Sequence, residues 1–169
     1  MARLPFRIAA ATALAFALAP AASALACADT ELVPAEGNLK QVRAAVLCLH
    51  NEERAAEGLT ELRPNKKLRR AAQGYSYHMV RASLFEHGDL SGRIRDVGYH
   101  GWTYGENIAW GTGHLATAGE IHDAWMRSPG HRANILRPQF REIGIGIALG
   151  AATAGPNGAT YTADFGARR

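Results

Sequence analysis

The sequence lacks the motifs that identify several large classes of enzyme. It contains no Gly-x-Ser-x-Gly elbow, no His-Glu-x-x-His motif and no glycine-rich loop with phosphate-binding spacing. The familiar serine hydrolases, zinc proteases and phosphate-loop enzymes are therefore excluded. Cysteine is also scarce, since Cys27 and Cys48 are the only two. Any chemistry in this chain must come from polar side chains that are dispersed along it.

The first 26 residues predict a secretory signal peptide. Arg3 and Arg7 make the start of the chain basic, and an apolar run follows over residues 8–19. This run is too short to span a bilayer as a helix, which argues against a membrane anchor. Two Ala-x-Ala cleavage sites lie within residues 22–26. We therefore expect the protein to be secreted, into the extracellular or the periplasmic space.

The remainder of the chain has the length of one domain. We expect residues 27–38 to form an irregular lead-in and residues 39–169 to form a single domain. The formal net charge is +4, and two of the arginines lie in the leader. The basic pairs at residues 66–67 and 69–70 lie on a predicted helix, where a solvated face is expected. We predict a monomer with no nucleic-acid partner and no transmembrane segment after signal removal.

The two cysteines allow two interpretations. In an exported chain an even pair indicates one disulfide, which would join Cys27 to Cys48 and tie the mature N-terminus to the first helix. Alternatively, a lipid could modify Cys27, because Leu25-Ala26-Cys27 loosely resembles a lipoprotein cleavage site. Lipidation would leave Cys48 as a lone thiol, so we favour the disulfide.

Hydrophobic periodicity places helices early in the chain and strands late. Helices are predicted over 39–57, over a segment that Asn65 caps, over 115–126 and over 128–136; strands are predicted over 104–110, 143–149 and 161–165; residues 86–101 are predicted to be a loop. Glycines at every second position of 143–149 indicate that another element packs closely on that face. This order predicts an α+β fold with an antiparallel sheet.

Three polar residues lie at structured positions. Ser128 is the predicted N-cap of a short helix, and Pro129 occupies its first helical position. His131 lies in the first turn of this helix. The positive end of the helix dipole should keep its imidazole neutral, able to accept a proton or bind a metal. Glu106 lies among apolar residues of a predicted strand, so it is either buried with partners or lines a cleft. His87 follows the second helix and opens the long loop.

Each of these residues also fits a structural role, and a single histidine is more often structural than a ligand. The other histidines have lower priority, because they lie on helix faces or in loops: His50, His78, His100, His114 and His122.

In combination with the surrounding motifs, the three residues resemble a known family. The motifs are Asn51-Glu52-Glu53-Arg54, Gly58-Leu59, Leu62-Arg63, Leu68-Arg69-Arg70-Ala71-Ala72, His87-Gly88, Gly105-Glu106-Asn107-Ile108-Ala109, Trp125-Met126-Arg127-Ser128-Pro129-Gly130-His131-Arg132-Ala133-Asn134-Ile135-Leu136, Ile143-Gly144-Ile145-Gly146 and Phe165-Gly166. In this order they resemble the CAP superfamily of cysteine-rich secretory proteins, antigen 5 proteins and pathogenesis-related proteins, in its bacterial SCP-domain form. The resemblance covers residues 46–165.

The resemblance implies an α-β-α sandwich with a small antiparallel sheet between helical layers. It also implies a central cleft lined by two histidines and two glutamates. His87, Glu106 and His131 match three of these four positions. The fourth position is Ser128 here, and Glu120 is a doubtful substitute. Two imidazoles and one carboxylate can still hold zinc or another divalent cation with open positions, with His87 and His131 as ligands.

Three functions are compatible with this site. The first is a binding module for a small molecule, lipid or cell-wall ligand, with or without a metal. The second is a hydrolase of peptides or cell-wall glycans, in which Glu106 is the general base and His87, His131 or zinc polarises the scissile bond. The third is a polar cluster that only stabilises the fold. Because a nucleophile and the second glutamate are missing, we favour the binding module.

Overall fold

The computed structural model describes residues 27–168, so the predicted signal peptide at residues 1–26 lies outside the described residues. Within the described range the chain forms five α-helices, α1 (Leu39–Ala56), α2 (Lys66–Ala82), α3 (Leu90–Asp96), α4 (Ala118–Arg127) and α5 (Pro129–Ile135), and four strands, β1 (Arg63–Pro64), β2 (Thr103–Gly111), β3 (Glu142–Ala151) and β4 (Gly155–Ala167). None of these helices is both long and apolar enough to cross a membrane.

The four strands form one sheet in the order β1-β3-β4-β2. Strand β4 pairs antiparallel with both β2 and β3, so that Glu106 lies opposite Asp164. The predicted antiparallel arrangement is confirmed for these three long strands. Strand β1 adds a parallel pairing of Arg63 with Glu142, which makes the sheet mixed. Two residues are too few to produce the period-two pattern that reveals a strand in a sequence.

Helix α2 packs on one face of the sheet, and α1, α4 and α5 pack on the other. On the α2 side, a Cβ added to Gly144 would lie 2.0 Å from the backbone nitrogen of Arg69, and one added to Gly146 would lie 2.3 Å from the carbonyl carbon of Ala72. The close packing that the alternating glycines predict is therefore confirmed. The opposite face of β3 and β4 carries the apolar core, which includes Val42, Val46, Ile121, Trp125, Ile143, Ile147, Tyr161 and Phe165. The result is the expected α-β-α sandwich.

A disulfide fastens the start of the described chain to the first helix. Cys27 and Cys48 are bonded, with their Cα atoms 5.7 Å apart. The predicted pairing is confirmed, and the thiol that lipidation of Cys27 would need is used in the bond.

The main departure from the predicted elements falls in residues 86–101. This segment is not a continuous loop, because it contains α3. The Asp89 side chain accepts a hydrogen bond from the Gly92 backbone N–H at 2.8 Å and caps the helix. Only Ile94 of this seven-residue helix is buried. One buried residue cannot produce a helical period, so the sequence pattern did not reveal α3.

Two of the low-priority histidines meet between α1 and α4. His50 is fully buried and His122 is 3% exposed. Their Nδ1 atoms are 3.0 Å apart, so one ring must donate and the other accept. Burial lowers the pKa of both side chains, and lowers that of His50 well below its ordinary value. The folded protein therefore holds both rings neutral.

This pair should make the protein less stable in weak acid. In the unfolded chain a histidine binds a proton near pH 6.5, while the folded pair resists protonation. Above that pH both states are neutral, and below it the unfolded state gains protons that the folded state lacks. The free energy of unfolding should therefore fall below pH 6.5, by up to about 1.4 kcal/mol per pH unit for each histidine.

Urea unfolding between about pH 7.5 and about pH 5 measures this dependence. His122→Gln, which keeps a hydrogen-bonding group but does not titrate, should flatten the decline. His100→Ala, at an exposed position, should leave it unchanged. If wild type and His122→Gln declined in parallel, the pair would not be the source.

Candidate functional site

Strand β2 places Glu106 at the centre of the candidate site. Its side chain is 2% exposed, and its Oε1 lies 2.8 Å from Nδ1 of His87. Its Oε2 accepts a hydrogen bond from Nη2 of Arg93. Of the two environments that the sequence allowed, the structure shows burial with partners. Because both oxygens are occupied, Glu106 orients its neighbours instead of facing the solvent.

Arg93 is a member of the site that the sequence analysis missed. Besides its contact with Glu106, its Nη1 donates to the backbone carbonyl of His87 at 2.8 Å. Its guanidinium lies 3.4 Å from the ring centroid of Tyr75, whose hydroxyl donates to the carbonyl of Glu86 at 2.6 Å. Arg93 and Tyr75 thus hold the segment that carries His87 against α2. Arg93 was missed because it lies on α3.

His131 lies in the first turn of α5 and is half-buried. Ser128 is the N-cap residue as predicted and Pro129 follows it, although the Ser128 side chain makes no capping hydrogen bond. Burial, and then the charge of the nearby His87, lower the pKa of His131. The direction agrees with the expectation of a neutral ring, and burial is its largest cause.

His87 and His131 line the same cleft of about 480 Å³ at the outer edge of β2. The cleft is also lined by Phe85, Glu86, Ile108, Ala109, Trp110, Ala124, Trp125 and Ser128. The side chain of His87 is 56% exposed, so it is accessible to a solute. The structure thus brings the two imidazoles to one cavity, with Glu106 directly behind His87.

Two asparagines from the sequence motifs attach α5 to β2. The Asn107 side chain donates to the backbone carbonyl of His131 at 3.0 Å. The Asn134 side chain donates to the carbonyl of Glu106 at 3.1 Å and to Asn107 Oδ1 at 2.9 Å. These bonds fix the position of His131 relative to the strand that carries Glu106.

The fourth family position has no carboxylate here. Ser128 lines the cleft at this position. Glu120, the doubtful substitute, lies instead 3.5 Å from Nε2 of His114 and is not among the cleft residues. Glu120 therefore does not complete the set.

A second carboxyl group near Glu106 comes from the sheet. Asp164 lies opposite Glu106 on β4 and is fully buried. Within the described residues neither of its side-chain oxygens has a hydrogen-bond partner. Burial, followed by the charge of Glu106, raises the pKa of Asp164 well above its ordinary value. The alternation of residues 161–165 marked this position as polar, but only the strand register shows that it faces Glu106.

The described residues do not gather a complete set of metal ligands at the cleft. In the described part of the chain, the only trio of potential ligand atoms within 4.8 Å of one another is Cys27, Cys48 and Glu52, where both sulfurs are already bonded to each other. Neither His87 nor His131 therefore belongs to such a trio. A metal held by these two imidazoles would complete its coordination with water or with a bound molecule.

The sandwich and the cleft define a domain of the cysteine-rich secretory type. The sequence model of the cysteine-rich secretory protein family, CAP, matches residues 47–165. The chain belongs to this family, and the resemblance seen in the sequence is confirmed.

Relatives occur in bacteria and in animals. The uncharacterized protein YkwD of Bacillus subtilis is 38% identical over 106 residues, which are 60% of this chain and 40% of that protein. The Golgi-associated plant pathogenesis-related protein 1 of Homo sapiens is 34% identical over 115 residues, 68% of this chain and 65% of that protein. The chain thus spans less than half the length of YkwD.

Solved structures show the same fold. An extracellular SCP-domain protein of Bacillus anthracis superposes with a TM-score of 0.62 at 24% identity, over 77% of this chain and 44% of that chain. An outer surface protein of Borrelia burgdorferi superposes with a TM-score of 0.64 at 18% identity, over 81% of this chain and 97% of that chain. At these identities the likeness concerns the fold alone.

Proposed function

We propose that this protein is a secreted binding module whose cleft takes up an extracellular ligand through a divalent cation held by His87 and His131. The observation that carries the proposal is the contact between Glu106 and Nδ1 of His87. A carboxylate at one ring nitrogen fixes the imidazole and leaves Nε2 free, which is the usual arrangement behind a histidine that binds a metal. Secretion is supported by the extracellular bacterial protein of the same fold.

The rest of the cleft suits a ligand with polar and apolar parts. The lowered pKa of His131 keeps its ring in the neutral form that binds metals. Phe85 is 40% exposed and Trp110 is 36% exposed at the cleft, which gives an apolar group surfaces to contact. A bound cation would attract a carboxylate, phosphate or carbonyl oxygen. A small molecule, a lipid or a cell-wall fragment has this combination of groups.

The alternative, a hydrolase, receives less support from the same geometry. A general base must reach the proton that it abstracts. Glu106 is 2% exposed and both of its oxygens are engaged, so it does not face a water in the cleft. The contacts of Glu106 are those of a positioning residue.

Titration with zinc, measured by isothermal calorimetry, tests the binding site. We expect His87→Ala and His131→Ala each to abolish measurable zinc binding, because the proposed site uses these two imidazoles as its side-chain ligands. Glu106→Gln should weaken zinc binding by about 10- to 100-fold through the loss of orientation of His87. His100→Ala removes an exposed histidine outside the cleft and serves as the matched control.

Zinc binding that persists in both His87→Ala and His131→Ala would refute the cleft as the metal site. The binding-only interpretation has a separate test. Peptide or cell-wall glycan cleavage by the wild type that disappears in Glu106→Gln would establish the hydrolase instead.

A further inference from the structure

A second groove lies at the opposite edge of the sheet from the histidine cleft. Helices α1 and α2 flank it, and the edge of β3 beyond β1 forms its floor. Its volume is about 560 Å³. Apolar surface comes from Ala44, Leu47 and Pro64. It shares no residue with the histidine cleft, so the two could be occupied independently.

Four cationic side chains surround this groove: Lys40, Arg43, Lys66 and Arg69. Among residues 27–168 the structure contains no carboxylate within 4.0 Å of any of them. Burial, and then the charge of the nearby Arg69, lower the pKa of Arg43. The sequence suggested an ordinary solvated face for residues 66–70. Lys66 and Arg69 are exposed, which agrees with this prediction, and they line the groove together with Lys40 and Arg43 of α1.

The floor of the groove also offers a pair of backbone groups. Asn65 N–H donates to the carbonyl of Ile143 at 2.8 Å, on the side of β3 that faces away from β4. Four residues further along β3, the side chain of Gln73 donates to the carbonyl of Ile147 at 2.7 Å and accepts from the N–H of Ile147 at 3.2 Å. Because alternate residues of a strand direct their backbone groups to the same side, the N–H and C=O of Ile145 also point there. The pairing of β1 with β3 ends at Ile143, so β1 does not pair with the N–H and C=O of Ile145.

These backbone groups discriminate between possible occupants. An alkyl chain lying over them would leave a donor and an acceptor buried without partners, which is costly. An extended peptide can pair with both, as strands do when they add to an open sheet edge. The surrounding cations select for acidic side chains on that peptide.

We propose that this groove captures an extended acidic segment of a partner protein. One residue of the segment forms backbone hydrogen bonds with the N–H and C=O of Ile145. The carboxylates of the segment form ion pairs with Arg43 and Arg69. The apolar walls at Leu47 and Pro64 receive a neighbouring aliphatic side chain. This proposal does not depend on zinc or on the histidine cleft.

Fluorescence anisotropy with a labelled peptide of alternating glutamate and valine tests the proposal on the full secreted chain. The peptide should bind, and Arg43→Glu/Arg69→Glu should weaken its binding by at least about tenfold, because the new carboxylates repel those of the peptide. Arg81→Glu/Arg95→Glu makes the same change in net charge outside the groove and should bind like the wild type. Equal melting temperatures show that the variants are folded.

Two further probes test the backbone pairing and the choice of a peptide. The same peptide methylated on every backbone nitrogen should bind at least about tenfold more weakly, because it cannot donate to Ile145. Equal binding of the methylated peptide, or equal loss in both charge-reversed variants, would overturn the proposal. It would also be overturned if the peptide failed to bind while vesicles of anionic phospholipid bound and were released by Arg43→Glu/Arg69→Glu.

Discussion

Gly144→Ala is expected to destabilise the protein by about 3 kcal/mol, because the new methyl group would collide with backbone and not with a movable side chain. The added Cβ would lie 2.0 Å from both the Arg69 nitrogen and the Leu68 carbonyl carbon. No rotamer change can relieve such a contact. Helix α2 would have to move away from the sheet as a unit and lose its packing there. Urea unfolding monitored by circular dichroism measures the change in the free energy of unfolding.

The same helix provides the matched control. Gly74 lies within α2, and an added Cβ would meet nothing within 4 Å. Gly74→Ala should therefore be neutral or stabilise the protein by up to about 1 kcal/mol, since alanine favours a helix over glycine. If Gly144→Ala were as stable as the wild type, the close approach of α2 to β3 would be wrong.

Arg54→Met should have an effect of similar or larger size, about 3 to 5 kcal/mol of destabilisation. Arg54 is fully buried, and its guanidinium donates to the carbonyls of Thr60, Ile135, Arg137 and Phe140 at 2.7 to 3.1 Å. Methionine fills a comparable volume but leaves these acceptors without donors. Two of the acceptors lie in the turn after α5, so the helix that carries His131 should also loosen.

Thermal and urea unfolding measure this loss, and two variants calibrate it. Arg54→Lys keeps the charge but not the planar set of donors, so it should fall between Arg54→Met and the wild type. Glu53→Ala changes the neighbouring residue, whose side chain makes no hydrogen bond or ion pair with the described residues, and should stay within about 0.5 kcal/mol of the wild type. A cost for Arg54→Met as small as that for Glu53→Ala would show that the four bonds contribute little.

The elements with strong local signals were predictable from the sequence. Helix α1 begins at Leu39 as predicted, and Asn65 caps α2 by accepting from the N–H groups of Lys67 and Leu68 at 2.9 and 3.1 Å. The alternating glycines of β3 correctly indicated a close neighbour. Strand β1 and helix α3 were not predictable, because each is short and each depends on contacts with distant residues for its stability.

The residues of the candidate site also fall into those that the sequence identified and those that it did not. His87, Glu106 and His131 lie in motifs that the sequence displays, and the structure places both histidines at one cleft with Glu106 behind His87. Their roles as metal ligands or catalytic groups remain predictions. Arg93 and Asp164 carry no motif. They became visible only when α3 folded against α2 and when β4 paired in register with β2.

The sequence by itself determined the family, favoured the disulfide and identified three candidate site residues, because local periodicity, capping groups and motif order are properties of neighbouring residues. Tertiary structure alone decided which groups surround Glu106 and which cations meet beside β3. Both arrangements depend on contacts between residues far apart in the chain. The energies of these contacts depend on distance and burial in the folded protein.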